Sequence, residues 1–173
     1  VSNFLKARWN YKLLIQPTPK NNWGDSLAQL LPKEIWDVLR KEVYAKANYI
    51  CEICLKYDRT LNCHEHWGYD DEKKIQYLIY PMCICTECHN SIHWFRTENA
   101  IRKREYPPSY IDVLKSHFIS VNGIDIKKFG RYLTWTSYLR DYRIRYEYEI
   151  RYGRWEIANI ISTFRSKEKW THQ

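Results

Sequence analysis

Glycine and proline are scarce in this chain of 173 residues, at five and six, and methionine occurs once. So few turn-forming residues exclude a long flexible linker or a low-complexity chain. No internal repeat is present, and no apolar run approaches the roughly 20 residues of a membrane helix; the best stretch, Tyr77 to Cys85, is broken by Pro81. Residues Val1 to Arg8 contain neither an apolar signal region nor a small-residue cleavage pattern. The expectation is a soluble, cytoplasmic protein without a membrane partner.

What is abundant points the other way from disorder. Hydrophobic residues make up 45% and charged residues 28% of a length suited to one domain. Lys and Arg number 28 against 20 Asp and Glu, a net charge of +8. The excess is uneven: residues 1–100 hold 13 basic and 12 acidic side chains, residues 101–173 hold 15 and 8. An electropositive C-terminal part interleaved with aromatics favours nucleic acid over anionic lipid as partner.

All six cysteines, Cys51, Cys54, Cys63, Cys83, Cys85 and Cys88, fall within 38 residues, and His64, His66, His89 and His93 lie in or beside that window. A disulfide framework belongs to secreted chains that lack a core, so metal binding is the better reading. Cys51-Glu52-Ile53-Cys54 and Cys85-Thr86-Glu87-Cys88 each present two thiols at the spacing one tight turn offers a tetrahedral ion. The pattern predicts structural Zn²⁺ on Cys51, Cys54, Cys85 and Cys88. Cys63 and Cys83 are expected as strand residues in a small core, where thiols act as modest hydrophobes.

A second constellation follows. His89 and His93 are four apart, a spacing that puts both imidazoles on one face of a helix. Between the knuckles, Leu61 to Trp67 alternates as a strand and Ile75 to Cys83 reads as another, so the predicted order is strand, loop, strand, helix. With the thiols committed to zinc, His64, His89 and His93 form a separate site for a catalytic divalent ion with open positions.

These stretches resemble the HNH endonuclease family, whose ββα-metal core is braced by paired CxxC knuckles. The subgroup in question is written C-E-x-C, C-H-E-x-W-x-Y-D and C-x-x-C-H with a further His. Here they stand as Cys51-Glu52-Ile53-Cys54, Cys63-His64-Glu65-His66-Trp67-Gly68-Tyr69-Asp70, and Cys85-Thr86-Glu87-Cys88-His89 with His93. Weaker similarity extends the match over about residues 23–125. The resemblance implies metal-dependent hydrolysis of DNA phosphodiesters, most often in a duplex, with Mg²⁺ or Mn²⁺ on His64, His89 and His93. For proton transfer it leaves His64, Glu65 and His66 as contenders: in one register Glu65 stands at the base position, and in a register shifted by one Cys63 becomes a ligand and His64 the base. The family's middle Asn is missing, with Tyr80 in its place. The alternative is a zinc-stapled nucleic-acid-binding module without cleavage, since a pure binder needs only the four cysteines.

The expected fold is therefore α+β: a small ββα-metal (HNH) core stapled by structural zinc and flanked by α-helices. Residues 1–48 make an N-terminal extension and packing helix, 49–100 the core, and 101–173 a basic, mostly helical segment, within one compact domain. Pro32 to Ala47 predicts a helix with Ile35, Trp36, Leu39 and Val43 on one face. After Pro107-Pro108, Ser109 starts a helix that Asn122-Gly123 ends, and Asp125 caps the next. Arg140 to Arg154 mixes cations with tyrosines; Arg140, Arg143, Arg145, Arg151 and Arg154 are its candidate nucleic-acid contacts, against the alternative of an amphipathic helix face. Trp155 to Phe164 alternates enough for a strand, with a helix as the other possibility.

Overall fold

The computed structural model describes residues 9–24, 26–58 and 60–171, so the N-terminal stretch read for an export signal lies outside the described residues. The architecture is mixed α and β, with a small three-stranded sheet and seven α-helices among the described residues. In chain order these are α1 (Leu27–Leu30), α2 (Lys33–Lys46), β1 (Leu61–Asp70), β2 (Ile75–Cys85), α3 (Thr86–Ile92), α4 (Trp94–Arg102), α5 (Tyr110–Asn122), α6 (Ile126–Arg143), β3 (Glu149–Arg151) and α7 (Ile157–Thr171). None of these helices is long and apolar enough to cross a membrane.

β1 and β2 form an antiparallel hairpin, and the short β3 adds parallel to the far side of β2. β1 is thus an edge strand. The pairing slips at one place: His66 faces Tyr80 while Trp67 faces Leu78, which leaves Ile79 as an extra residue on β2. The Ile79 carbonyl accepts from Trp155 Nε1 at 3.1 Å. The slip lets β2 serve two cores. Met82 and Ile84 pack with Leu13, Ile92, Leu114, Phe118, Phe129 and Tyr132 in the larger one. Leu78 joins Leu27, Leu31 and Ile35 in the smaller. On the same strand pair, Gly68 has no room for a Cβ because the Tyr77 ring lies across it.

Local signals account for several elements. α2 begins after Pro32 and buries Ile35 and Val43, the stripe its spacing predicts. Asp125 caps α6 by accepting from Lys128 N at 2.7 Å, and α5 ends in the left-handed Gly123. Near the C-terminus two readings that left alternatives open are resolved. The tyrosine- and arginine-rich segment leaves the helix at Arg143 and supplies β3. Residues 157–171 are helical rather than extended: Ile157, Ile160, Ile161 and Phe164 recur at the 3–4 spacing of a helix and pack on the smaller core.

The N-terminal residues 9–16 run through the larger core as an extended segment held by side chains rather than by a strand partner. Leu13 N donates to Asn122 Oδ1 at 3.0 Å, Ile15 N donates to the Tyr132 hydroxyl at 2.9 Å, and Gln16 N donates to the Ile92 carbonyl at 3.0 Å. These bonds carry it to the mouth of the site described next.

Candidate metal centres

The first knuckle is a tight turn. Leu55 N returns to the Cys51 carbonyl at 2.9 Å with Leu55 left-handed, and Cys51 N donates to the Lys56 carbonyl. Glu52 ties this turn to the hairpin: its N–H donates to the Cys83 carbonyl at 2.9 Å and its carboxylate accepts from Cys83 N at 2.5 Å. The second knuckle is the start of α3, where Cys85 is the N-cap and its sulfur accepts from Cys88 N at 3.4 Å. The anionic form of that sulfur suits a helix N-terminus.

These turns bring the sulfurs of Cys51, Cys54, Cys85 and Cys88 within 4.8 Å of one another. Cys54 Sγ and Cys85 Sγ are 3.7 Å apart. Four sulfurs at about 2.3 Å from one ion lie about 3.8 Å from each other in a tetrahedron, so the cluster is compatible with a structural zinc. Hydrogen bonds from Cys85 and Cys88 hold the Cys51 thiol far below its ordinary value, and the same bonds help drive Cys85 and Cys88 upward. A bound divalent ion favours the thiolate forms that serve as its ligands. His117, on α5, sits behind the cluster with Nε2 3.1 Å from Cys88 Sγ, a contact the spacing of the knuckles does not reveal.

Cys63 and Cys83 face each other across the hairpin and stay outside the cluster. Burial, reinforced by Glu65 for Cys63 and by Glu52 for Cys83, pushes their thiols up to about 12 and about 11. They remain neutral thiols. Asp58 and Glu87 also lie near Cys85, but that grouping borrows a sulfur already in the cluster.

One residue beyond Cys88 the second set begins. His89 lies on α3, and His93 stands at the break between α3 and α4, with its N–H still bonded to the His89 carbonyl at 3.1 Å. His64 reaches them from β1. The three ring centroids are 4.7 to 5.4 Å apart, and one nitrogen from each lies within 4.8 Å of the others. Burial pulls the imidazoles down, His89 to about 4 and His93 to about 3, and His64 in the same direction. The Arg96 guanidinium adds to this in all three. His64 is 2% exposed, and its Nε2 is buried with no hydrogen-bond partner. Neutral imidazoles with an unsatisfied nitrogen are what a metal ligand set requires. Its chemistry is all nitrogen, which suits a borderline transition ion such as Zn²⁺ or Ni²⁺ better than the oxygen-seeking Mg²⁺ or Mn²⁺.

A cleft of about 650 Å³ opens over these imidazoles along the β1 edge. Because it wraps the edge, it meets both faces of the strand, and His64 and Glu65 both line it although successive strand residues point apart. Glu65 Oε1 accepts from Leu27 N at 2.8 Å, which fastens α1 to the strand, and burial raises its pKa. His66 lies against Tyr80, ring centroids 5.4 Å apart, and does not line the cleft.

The predicted arginines divide. Arg140 lines the cleft with its guanidinium 5.2 Å from the Phe95 ring centroid. Arg145 and Arg154 are exposed, and Arg151 is exposed but engaged by Glu149 at 2.7 Å. Arg143 is the correction. It is 6% exposed, forks onto both oxygens of Asp71 at 2.8 and 2.9 Å and donates to the Pro17 carbonyl. Burying a guanidinium requires such pairing, and a buried one has no face left for a phosphate. Arg96 is the cleft residue that sequence reasoning missed; its position three residues after His93 was the available signal.

Compared with protein-family models, with curated proteins and with solved structures, the chain has no match.

Proposed function

We propose that the chain is a metal-dependent phosphodiester hydrolase of HNH type acting on DNA, with a structural zinc on Cys51, Cys54, Cys85 and Cys88. The observation that carries this reading is the meeting of two unlike donor sets at one short helix, four sulfurs joined through Cys88 and three neutral imidazoles joined through His89 and lining a cleft. The hairpin followed by α3 agrees with the ββα arrangement the motifs suggest.

A closed sulfur site holds the turn and helix in place, while a three-ligand site leaves coordination positions for substrate and water. A divalent ion held by His64, His89 and His93 would polarise a phosphate oxygen and acidify bound water. The chain's own residues do the rest. Leu27 N orients the Glu65 carboxyl on the cleft wall, and burial brings its pKa toward the range in which a carboxylate accepts a proton from water. Among the contenders for proton transfer, Glu65 is therefore favoured over His66, and His64 serves as ligand. Arg96 and Arg140 supply positive charge along the strand's path, and exposed Arg145 and Arg154 extend it.

The test is conversion of supercoiled plasmid by purified protein over a series of Mg²⁺, Mn²⁺, Ni²⁺ and Zn²⁺. Metal-dependent cutting that disappears in His89→Ala supports the reading. Equal cutting by that variant would overturn the site, and DNA binding without cutting under any ion would leave the zinc-stapled binding module.

A further inference from the structure

One wall of the cleft is unlike the rest. Trp23 is 59% exposed although it is the largest side-chain type in the alphabet, and its ring is fixed, with Nε1 donating to the Thr18 carbonyl at 3.1 Å. The residues before it are pinned to the fold. Asn22 Nδ2 donates to the buried Gln76 at 3.0 Å, and Asn21 exchanges bonds with the backbone of Tyr148 at 3.0 and 3.2 Å. Among the described residues no aromatic ring or cation is paired with the Trp23 face. Ordering a bare indole at the mouth of a cleft leaves an unused stacking surface.

Arg96, Asn99 and Arg140 line the same cleft, Arg140 with Asp141 3.8 Å away. Arg96 is exposed, and no carboxylate pairs with it among the described residues. His64, His89 and His93 line it too. A planar aromatic, two guanidinium groups and a metal-ligating set in one cleft match the alternation of base and phosphate along a nucleic-acid strand. Inside a duplex both faces of each base are covered by its neighbours, so a base meets a protein ring only when it is unpaired or turned out of the stack.

We propose that this cleft binds an unpaired nucleic-acid strand, one base stacking on Trp23 while the adjoining phosphate is held by Arg96 and Arg140 over the imidazoles. The identity of the strand rests on the hydrolase reading; the stacking site itself does not need cleavage. The natural targets are then single strands, bubbles, flaps or frayed ends.

The experiment measures binding apart from cutting. Phosphorothioate-linked oligonucleotides carrying 2-aminopurine are titrated with the full chain as a single strand, a matched duplex and a duplex with an unpaired bubble, in DNA and in RNA. Single strand and bubble should bind about tenfold or more tighter than the matched duplex, with the fluorophore quenched on stacking. Trp23→Ala should weaken unpaired binding about tenfold and remove the quenching while the melting temperature is kept, and Trp23→Phe should restore most of both. Arg96→Gln should weaken all substrates together and reduce the salt dependence by about one charge. Equal affinity for duplex and unpaired strand, an unchanged Trp23→Ala, or no binding to any form overturns the proposal. Cutting is scored separately, on plasmid and on unmodified single-stranded and bubble oligonucleotides with the same series of divalent ions, so a protein that cuts but ignores Trp23 refutes the stacking site alone, and one that stacks but cuts none of these substrates refutes the hydrolase alone.

Discussion

The sulfur set and the imidazole set meet on the same seven-residue helix, at the consecutive residues Cys88 and His89, yet their surroundings differ. Three of the four sulfur ligands, Cys51, Cys85 and Cys88, are buried and Cys54 is half-buried, while Glu52 locks one turn to the hairpin and His117 backs the other. The imidazoles have one buried member and a cleft in front. A site with four ligands and no opening can hold a fold and do nothing else; a site with three and an opening can turn over a substrate.

The strongest way to break that contrast is on the sulfur side. Cys51→Ser should abolish the cooperative thermal transition, because a structural zinc contributes ~10 kcal/mol or more to folding. Metal analysis after chelator treatment should find a tightly held zinc in the parent that the variant lacks; a metal-free melt like the parent's would refute the assignment. On the other side, His89→Ala should keep both the zinc and the melting temperature while cutting drops by about a hundredfold or more, since even partners of ligands are worth about 10–100-fold. Should His89→Ala unfold the chain, the two sites would not be separable as described.

Glu65→Gln sharpens the comparison further. The amide oxygen can still accept from Leu27 N, so circular dichroism and melting should be unchanged, while cutting falls about 10²-fold or more if the carboxylate takes the proton from water. An unchanged rate would leave Glu65 as an anchor for α1 only. The smallest effect is expected at His117→Gln. Loss of the imidazole behind Cys88 should weaken zinc retention by about 10–100-fold in a competition with chelator, without altering the rate of the zinc-loaded protein.

The parts of this molecule that were legible in the sequence are those whose cause is local. The knuckles are set by spacing, α2 by the stripe through Ile35 and Val43, and the start of α6 by Asp125. The grouping of His64 with His89 and His93 was also readable, because a hairpin and a following helix leave few ways to arrange them. What could not be read has its cause at long range. Arg143 looks like any cation in a basic run until Asp71, 72 residues earlier, is folded onto it. Residues 9–16 obtain their hydrogen bonds from Asn122, Tyr132 and the Ile92 carbonyl, so no periodic pattern marks them. β3 is three residues long and exists because β2 offers it an open side. Trp23 and Arg96 are ordinary residues in sequence and acquire meaning only from the space between them.

The extra residue in β2 also has a genetic reading. Removing the single codon for Ile79 would leave both strands free to pair without interruption, and by the measure of hydrogen bonds the hairpin would be more regular. Because Trp67 already faces Leu78 and His66 already faces Tyr80, every residue would keep its partner and its face; what would go is the Ile79 carbonyl that Trp155 Nε1 holds, together with the local bend and twist that the extra residue imposes. At that position the chain tolerates a change of letter better than a change of length.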